Sequence, residues 1–216
     1  MKTKRTISGL VAATRLAAFA ALTLLIASCG SLPPSQSVAG TLKRDRYTSP
    51  DGDFSVAVPF VGDYERNWMQ VKEQRRALGQ YISFGPAAFN QSIYRLLVWR
   101  EQPGAVRRSL DSAAALIASE LTVQLERSYG APLQLVTDKA ANVNGIAARQ
   151  RRYRQVATAG KISNMEVVLQ HQLLVLKDGN RIWSAWLQSP VGLSRGNEED
   201  PLTLEQFVGS VQFPKR

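Results

Sequence analysis

The chain has 216 residues, with 27 Lys+Arg against 17 Asp+Glu, one histidine and one cysteine, for a formal net charge of +10. A single cysteine excludes an internal disulfide, and one histidine beside it excludes the usual zinc sites built from several His and Cys ligands. Residues 1–28 hold four of the basic residues and no acid, leaving 23 against 17, or about +6, a balance that argues against nucleic acid and is compatible with anionic headgroups or an acidic partner.

The N-terminus carries Lys2, Lys4 and Arg5, then a largely apolar stretch of 12 residues from Leu16 to Ala27, then Ser28 and Cys29. A charged start, a short apolar core and small residues before a cleavage point make a secretory signal. A membrane-crossing helix would need about 20 apolar residues. Cys29, directly after Leu25-Ile26-Ala27-Ser28, fits the bacterial lipobox, in which the thiol takes a diacylglycerol and the freed amine an acyl chain. The expectation is a signal peptide over 1–28 and lipidation at Cys29, with two or three acyl chains making a durable anchor at about 0.8 kcal/mol per buried methylene. Gly30 in place of Asp resembles lipoproteins sorted to the outer membrane, which would face this one to the periplasm in a two-membrane envelope. Residues 29–45 are rich in Gly, Ser and Pro and read as a lipidated flexible tether. The folded domain is expected over 46–216.

Pro50-Asp51-Gly52-Asp53 is a turn cluster, after which Phe54, Val56 and Val58 alternate with small residues up to Pro59. Further strands are read at 68–74, 80–84 and 92–100. The last has apolar residues on both faces, the mark of a strand covered from two sides. Leu110, Ala114, Ile117, Leu121 and Leu125 recur at spacings of four and three and predict a helix over 109–129. Ser109 is its cap, Asp111 lies in its first turn, and Gly130 and Pro132 are its stop. Strands follow at 133–139, 146–156, 165–177 and 181–188, with Asn144-Gly145 and Asp178-Gly179 as tight-turn signals. Asp200 with Pro201 is read as opening a short helix to about Gly209, and Val211 to Phe213 closes the domain. The fold class is α+β: an antiparallel meander with a long central helix and a short C-terminal helix packed on it.

Three stretches carry a resemblance. Tyr47 with Asp51-Gly52-Asp53-Phe54-Ser55-Val56 and Pro59, Val143-Asn144-Gly145 with Ala147-Ala148, and Phe207 with Ser210-Val211-Gln212-Phe213 resemble the opening hairpin, a mid-domain strand entry and the closing stretch of the PsbP-like family. That family includes many bacterial lipoproteins. The resemblance spans 46–214, rests on scaffold positions, and implies an adaptor or assembly protein rather than an enzyme, with no binding residue carried over.

Little else points to chemistry. His171 lies mid-strand between two glutamines, where a sheet-surface or satisfied buried role is the simpler reading. No Gly-x-Ser-x-Gly elbow or phosphate-cradling glycine loop is present. Glu198-Glu199-Asp200 lacks the spacing of a calcium loop and suits a helix start. Trp183 and Trp186 differ in parity, so a strand sends them to opposite faces as packing residues. The candidate partner surface is the run Arg149-Gln150-Arg151-Arg152-Tyr153-Arg154: Arg149 and Arg151 share a face with Tyr153, while Arg152 and Arg154 share the other. Guanidinium suits phosphate or carboxylate, against the plainer reading of charges that discourage edge pairing.

The expected protein is a non-catalytic, lipid-anchored cell-envelope protein acting as a protein-binding or assembly module. The alternative is a small-ligand or glycan-binding envelope lipoprotein. No cofactor or metal is expected beyond the covalent diacylglycerol and N-acyl lipid on Cys29. The expected partners are the membrane, through the anchor, and an envelope protein.

Overall fold

Turn chemistry sets the strand pairing. Asn144 and Gly145 both take positive φ, 53° and 83°, as a two-residue turn matched to strand twist requires. They join β7 (Gln134–Val143) to β8 (Ile146–Thr158). Gly179, at φ 59°, turns β9 (Glu166–Asp178) into β10 (Arg181–Pro190). The computed structural model describes residues 40–60, 69–76, 79–85, 92–158, 166–191 and 202–214, all within the unit Val38–Arg216. The signal segment, Cys29, residues 30–39, Trp68, the acidic run 198–200 and Pro201 lie outside the described residues.

The remaining elements are β1 (Thr41–Lys43), β2 (Arg46–Thr48), β3 (Ser55–Ala57), β4 (Gln70–Arg76), β5 (Gly79–Gly85), β6 (Ile93–Arg100), α1 (Leu110–Tyr129) and α2 (Leu204–Gly209). Strands β1, β2 and β3 form a small sheet, and the other seven form a sheet ordered β4-β5-β6-β10-β9-β8-β7, antiparallel at every pairing. The class is α+β, as the sequence predicts. The sheet is two meanders rather than one: β4–β6 and β7–β10 join where β10 pairs with β6. The chain reaches the far edge through α1, so its last strand closes the middle. Strand β1 falls inside the range read as tether, because Thr41–Lys43 pair with Arg46–Thr48 across a turn in which Arg44 takes φ 50°.

Each face of the large sheet has its own core. On one, α1 packs its buried Ala113, Ala114, Ile117, Ala118, Leu121 and Leu125 with Leu173, Val175, Ile182 and Trp186. On the other, Phe207 and Val208 of α2 join Tyr47, Phe84, Leu96 and Trp183. Alternate β10 residues therefore serve opposite cores, and Trp183 and Trp186 separate as their parity requires. Strand β6 divides likewise, Tyr94 and Leu96 to one core and Leu97 to the other.

The helix ends follow capping chemistry. Ser109 Oγ accepts from Ser112 N at 3.1 Å, and Gly130 closes α1 at φ 64° in the left-handed region. The expected Asp200 cap is corrected: Thr203 is the N-cap of α2. Its hydroxyl accepts from Gln206 N at 3.2 Å, while Gln206 Oε1 accepts from Thr203 N at 2.8 Å. This reciprocal capping box satisfies two donors that an aspartate three residues earlier would leave open.

Candidate functional site: two arginine clusters

His171 is fully buried and its ring nitrogens are both engaged. Trp186 Nε1 donates to Nδ1 at 3.3 Å, so the proton sits on Nε2, which donates to Gln155 Oε1 at 3.2 Å. Gln155 in turn donates to Ala131 O at 2.7 Å. Burial, with the nearby Arg95 charge adding, pushes the imidazole down to about 4. The side chain is a neutral bridge between β8, β9 and β10.

The basic run on β8 divides by face. Arg149 and Arg151 lie with Tyr153 on the α1 side and meet Asp138 of β7. Arg149 Nε is 2.5 Å from Oδ1 and Arg151 Nε is 3.0 Å from Oδ2. Arg149 also stands 3.6 Å from Asp111 of α1. The Arg149 hydrogen bond, with both guanidinium charges adding, holds the Asp138 carboxyl below the usual carboxylate range against the opposing effect of burial. Arg152 and Arg154 are exposed on the opposite face, in register with Gln172 and Gln170 of β9. Strand β8 is internal, flanked by β7 and β9, so protection of an open edge does not account for this run.

A second cluster, which the sequence reading does not single out, lines a cleft of about 450 Å³ over the end of the large sheet. Arg75, Arg100, Arg108 and Arg181 contribute to its wall, with Trp99 and Phe213 between them. Arg100 ends β6, and Arg181 opens β10 directly opposite it in register. Arg108 lies over Trp99 at 4.9 Å from the ring centre and Arg181 over Phe213 at 4.7 Å, contacts that fix guanidinium planes against rings. Trp99 packs against the α1-side core and carries Arg108 at the rim of the cleft. Gly79 lines the cleft at φ 147°, where a side chain would overlap the carbonyl of Val98, so β5 can approach β6 there only with glycine.

The acids of the cleft do not neutralise it. Glu101 is buried, receives Lys177 Nζ at 2.6 Å and accepts from Arg108 N at 2.8 Å. The Lys177 hydrogen bond holds this carboxyl below its ordinary range although burial opposes it. Asp53 lies on the wall, and Asp51 pairs with Arg75 at 3.2 Å. Among the described residues, Arg100, Arg108 and Arg181 have no carboxylate within ion-pair distance, while Asp178 stands opposite Arg181 on β9 and the Arg108 charge helps to hold Glu101 ionised. The signal for this cluster in the sequence was slight: Arg100 and Arg181 end and begin separate strands, and only the β6–β10 pairing brings them together.

No family model matches the sequence, and no curated protein matches it. Among solved structures, a crystal structure from Bacteroides thetaiotaomicron is similar at 10% identity and a TM-score of 0.43, over 81% of this chain and 50% of the other. The chain therefore spans about half the length of that protein. The solution structure of cyanobacterial PsbP (CyanoP) from Synechocystis is similar at 11% identity and a TM-score of 0.41, over 75% of this chain and 86% of the other, and is a weak structural neighbour.

Proposed function

We propose that this chain is a non-catalytic, lipid-anchored cell-envelope protein that acts by binding, as a protein-binding or assembly module of PsbP-like type. The anchor rests on the signal and lipobox reading of residues 1–29, with a diacylglycerol and an N-acyl chain on Cys29. In a two-membrane envelope the domain would face the periplasm from the outer membrane. The observation that carries the binding reading is that Arg152 and Arg154 stand exposed, side by side on one face of an internal strand, with no ion-pair partner among the described residues. Adjacent unpaired guanidiniums on a sheet favour an acidic protein surface.

The test is crosslinking in cells of an affinity-tagged protein, read by mass spectrometry, with Cys29→Ala as the unanchored control. One dominant envelope protein, lost when Arg152 and Arg154 are replaced by Gln, supports the module. A Cys29→Ala form that stays on the membrane like the wild type contradicts the anchor. The second reading, a small-ligand module, is favoured by the arginine-lined cleft, whose volume lies in the range of ligand pockets.

A further inference from the structure

We propose that the cleft is a binding site for an organic phosphate monoester, its phosphoryl group held between Arg100 and Arg181 and its body lying toward Phe213. This rests on the second reading above and names its ligand class.

The cleft is built around a cross-strand pair of arginines. Residues directly opposite on antiparallel strands have Cβ atoms about 4.5–5.5 Å apart, and like charges there repel. Arg100 and Arg181 are such a pair. Asp178 stands opposite Arg181 on its other side, but among the described residues no carboxylate comes within ion-pair distance of either guanidinium. The neighbouring acid, Glu101, is tied to Lys177 and to the backbone of Arg108. An anion between the two guanidiniums would turn the repulsion into a clamp.

The donor set then selects the anion. One guanidinium fork satisfies the two oxygens of a carboxylate, so a single carboxylate leaves the second fork unmatched. A phosphate monoester offers three terminal oxygens and a charge of about −1.5 to −2 at neutral pH, enough for two forks. Arg181 is held against Phe213 and Arg108 against Trp99, so less side-chain freedom is lost on binding. The cleft, at about 450 Å³, exceeds what a bare phosphate fills, and Phe213 with Phe54, on the sheet face of the two arginines, gives it apolar wall for an organic body.

Two sources share this chemistry, a soluble phosphate ester and a lipid whose headgroup is a phosphate monoester, and the test separates them. The purified full-length protein in detergent is titrated calorimetrically with phenyl phosphate, benzoate and inorganic phosphate. The Cys29→Ala form is floated with vesicles containing phosphatidic acid or, as the diester control, phosphatidylglycerol. Phenyl phosphate is expected to bind at least tenfold more tightly than benzoate, and Arg100→Gln and Arg181→Gln each to weaken it tenfold or more. Lys139→Gln, exposed on the edge strand β7 and outside the cleft, should change it less than threefold. Arg100→Gln should melt no lower than the wild type, since it removes a like-charge contact. Flotation with phosphatidic acid alone, lost in Arg100→Gln, assigns the lipid source; phenyl phosphate binding without flotation assigns the soluble one. Benzoate binding as tightly as phenyl phosphate overturns the phosphate class while leaving the cleft an anion site. No binding of any probe at millimolar concentration overturns the site itself.

Discussion

Trp186 donates its indole N–H to Nδ1 of His171 across 3.3 Å, and that one contact fixes the tautomer of the chain's single histidine. A protonated ring would turn Nδ1 into a donor facing a donor, in a fully buried position. The folded-state pKa falls to about 4, against an ordinary value of about 6.5 in the unfolded chain. Above pH 6.5 both states are neutral and the group contributes no pH dependence. As pH falls below 6.5 the unfolded state takes the proton first, so stability drops, by about 3 kcal/mol at pH 4. With one histidine, the measurement is direct: the imidazole NMR signal should titrate with a midpoint near pH 4. A midpoint near 6.5 would sink the bridge assignment.

Glu101 and Lys177 define a second acid-sensitive element, at lower pH. The depressed carboxyl of Glu101 contributes stability that is present above its unfolded pKa and is lost as pH falls through the lower folded value. Removing one partner of a buried ion pair costs about 3–5 kcal/mol because the other charge is stranded. Lys177→Met should therefore cost this much, and Glu101→Gln with Lys177→Met should recover most of it. Urea unfolding of the two single variants and the double variant closes the cycle. Equal losses for Lys177→Met and the double variant would show that the pair is not coupled. The Arg108 N–H held by Glu101 also fixes the chain beside the cleft, so Glu101→Gln should weaken phenyl phosphate binding without touching Arg100.

The small sheet is fastened to the large one through Glu73 of β4. Its carboxylate accepts from Tyr47 Oη at 2.5 Å, from Gly40 N at 3.2 Å and from Gln80 Nε2. Burial first, and the Glu73 hydrogen bond second, push the Tyr47 phenol well above its ordinary range. Tyr47→Phe removes one hydrogen bond to a charged group and should cost about 1.5–3 kcal/mol. Glu73→Ala should cost more, since it strands the buried Tyr47 hydroxyl as well. In an alkaline spectrophotometric titration Tyr47 should stay protonated until the domain unfolds. A phenolate signal from Tyr47 near pH 10 in the folded protein would contradict the contact.

The parts of the fold legible in the sequence are those decided over short spans. Asn144-Gly145 and Gly179 force local turns, and the spacing of Ile117, Leu121 and Leu125 leaves a helix as the way to one apolar face. The β10 alternation assigned Trp183 and Trp186 to opposite cores because parity survives any register. What the sequence hid depends on long-range pairing. Nothing near Arg100 announces Arg181 as its cross-strand neighbour, so the cleft could not be read. The Thr203 capping box was legible by its Thr-x-x-Gln spacing but was outweighed by Pro201, a helix-opening residue three positions before the first helical one. Strand parity already divides the four arginines of β8 between two faces, but which pair is neutralised depends on Asp138 of the neighbouring strand.

That division yields a prediction about the binding surface. Arg149 and Arg151 both neutralise Asp138, so replacing them with Gln strands a half-buried carboxylate and should lower the melting temperature. Arg152 and Arg154 are exposed, and exposed charges away from structural pairs contribute little to stability. Arg152→Gln with Arg154→Gln should leave melting unchanged while reducing crosslinking to an acidic partner. Asp138→Asn should destabilise like the first pair yet leave crosslinking intact at temperatures where the domain is folded. The comparison is made with matched melting curves and crosslinking yields for the three forms. If Arg149→Gln with Arg151→Gln instead abolishes crosslinking with no change in melting, the partner surface lies on the α1 side of the sheet and the assignment of the open face is wrong.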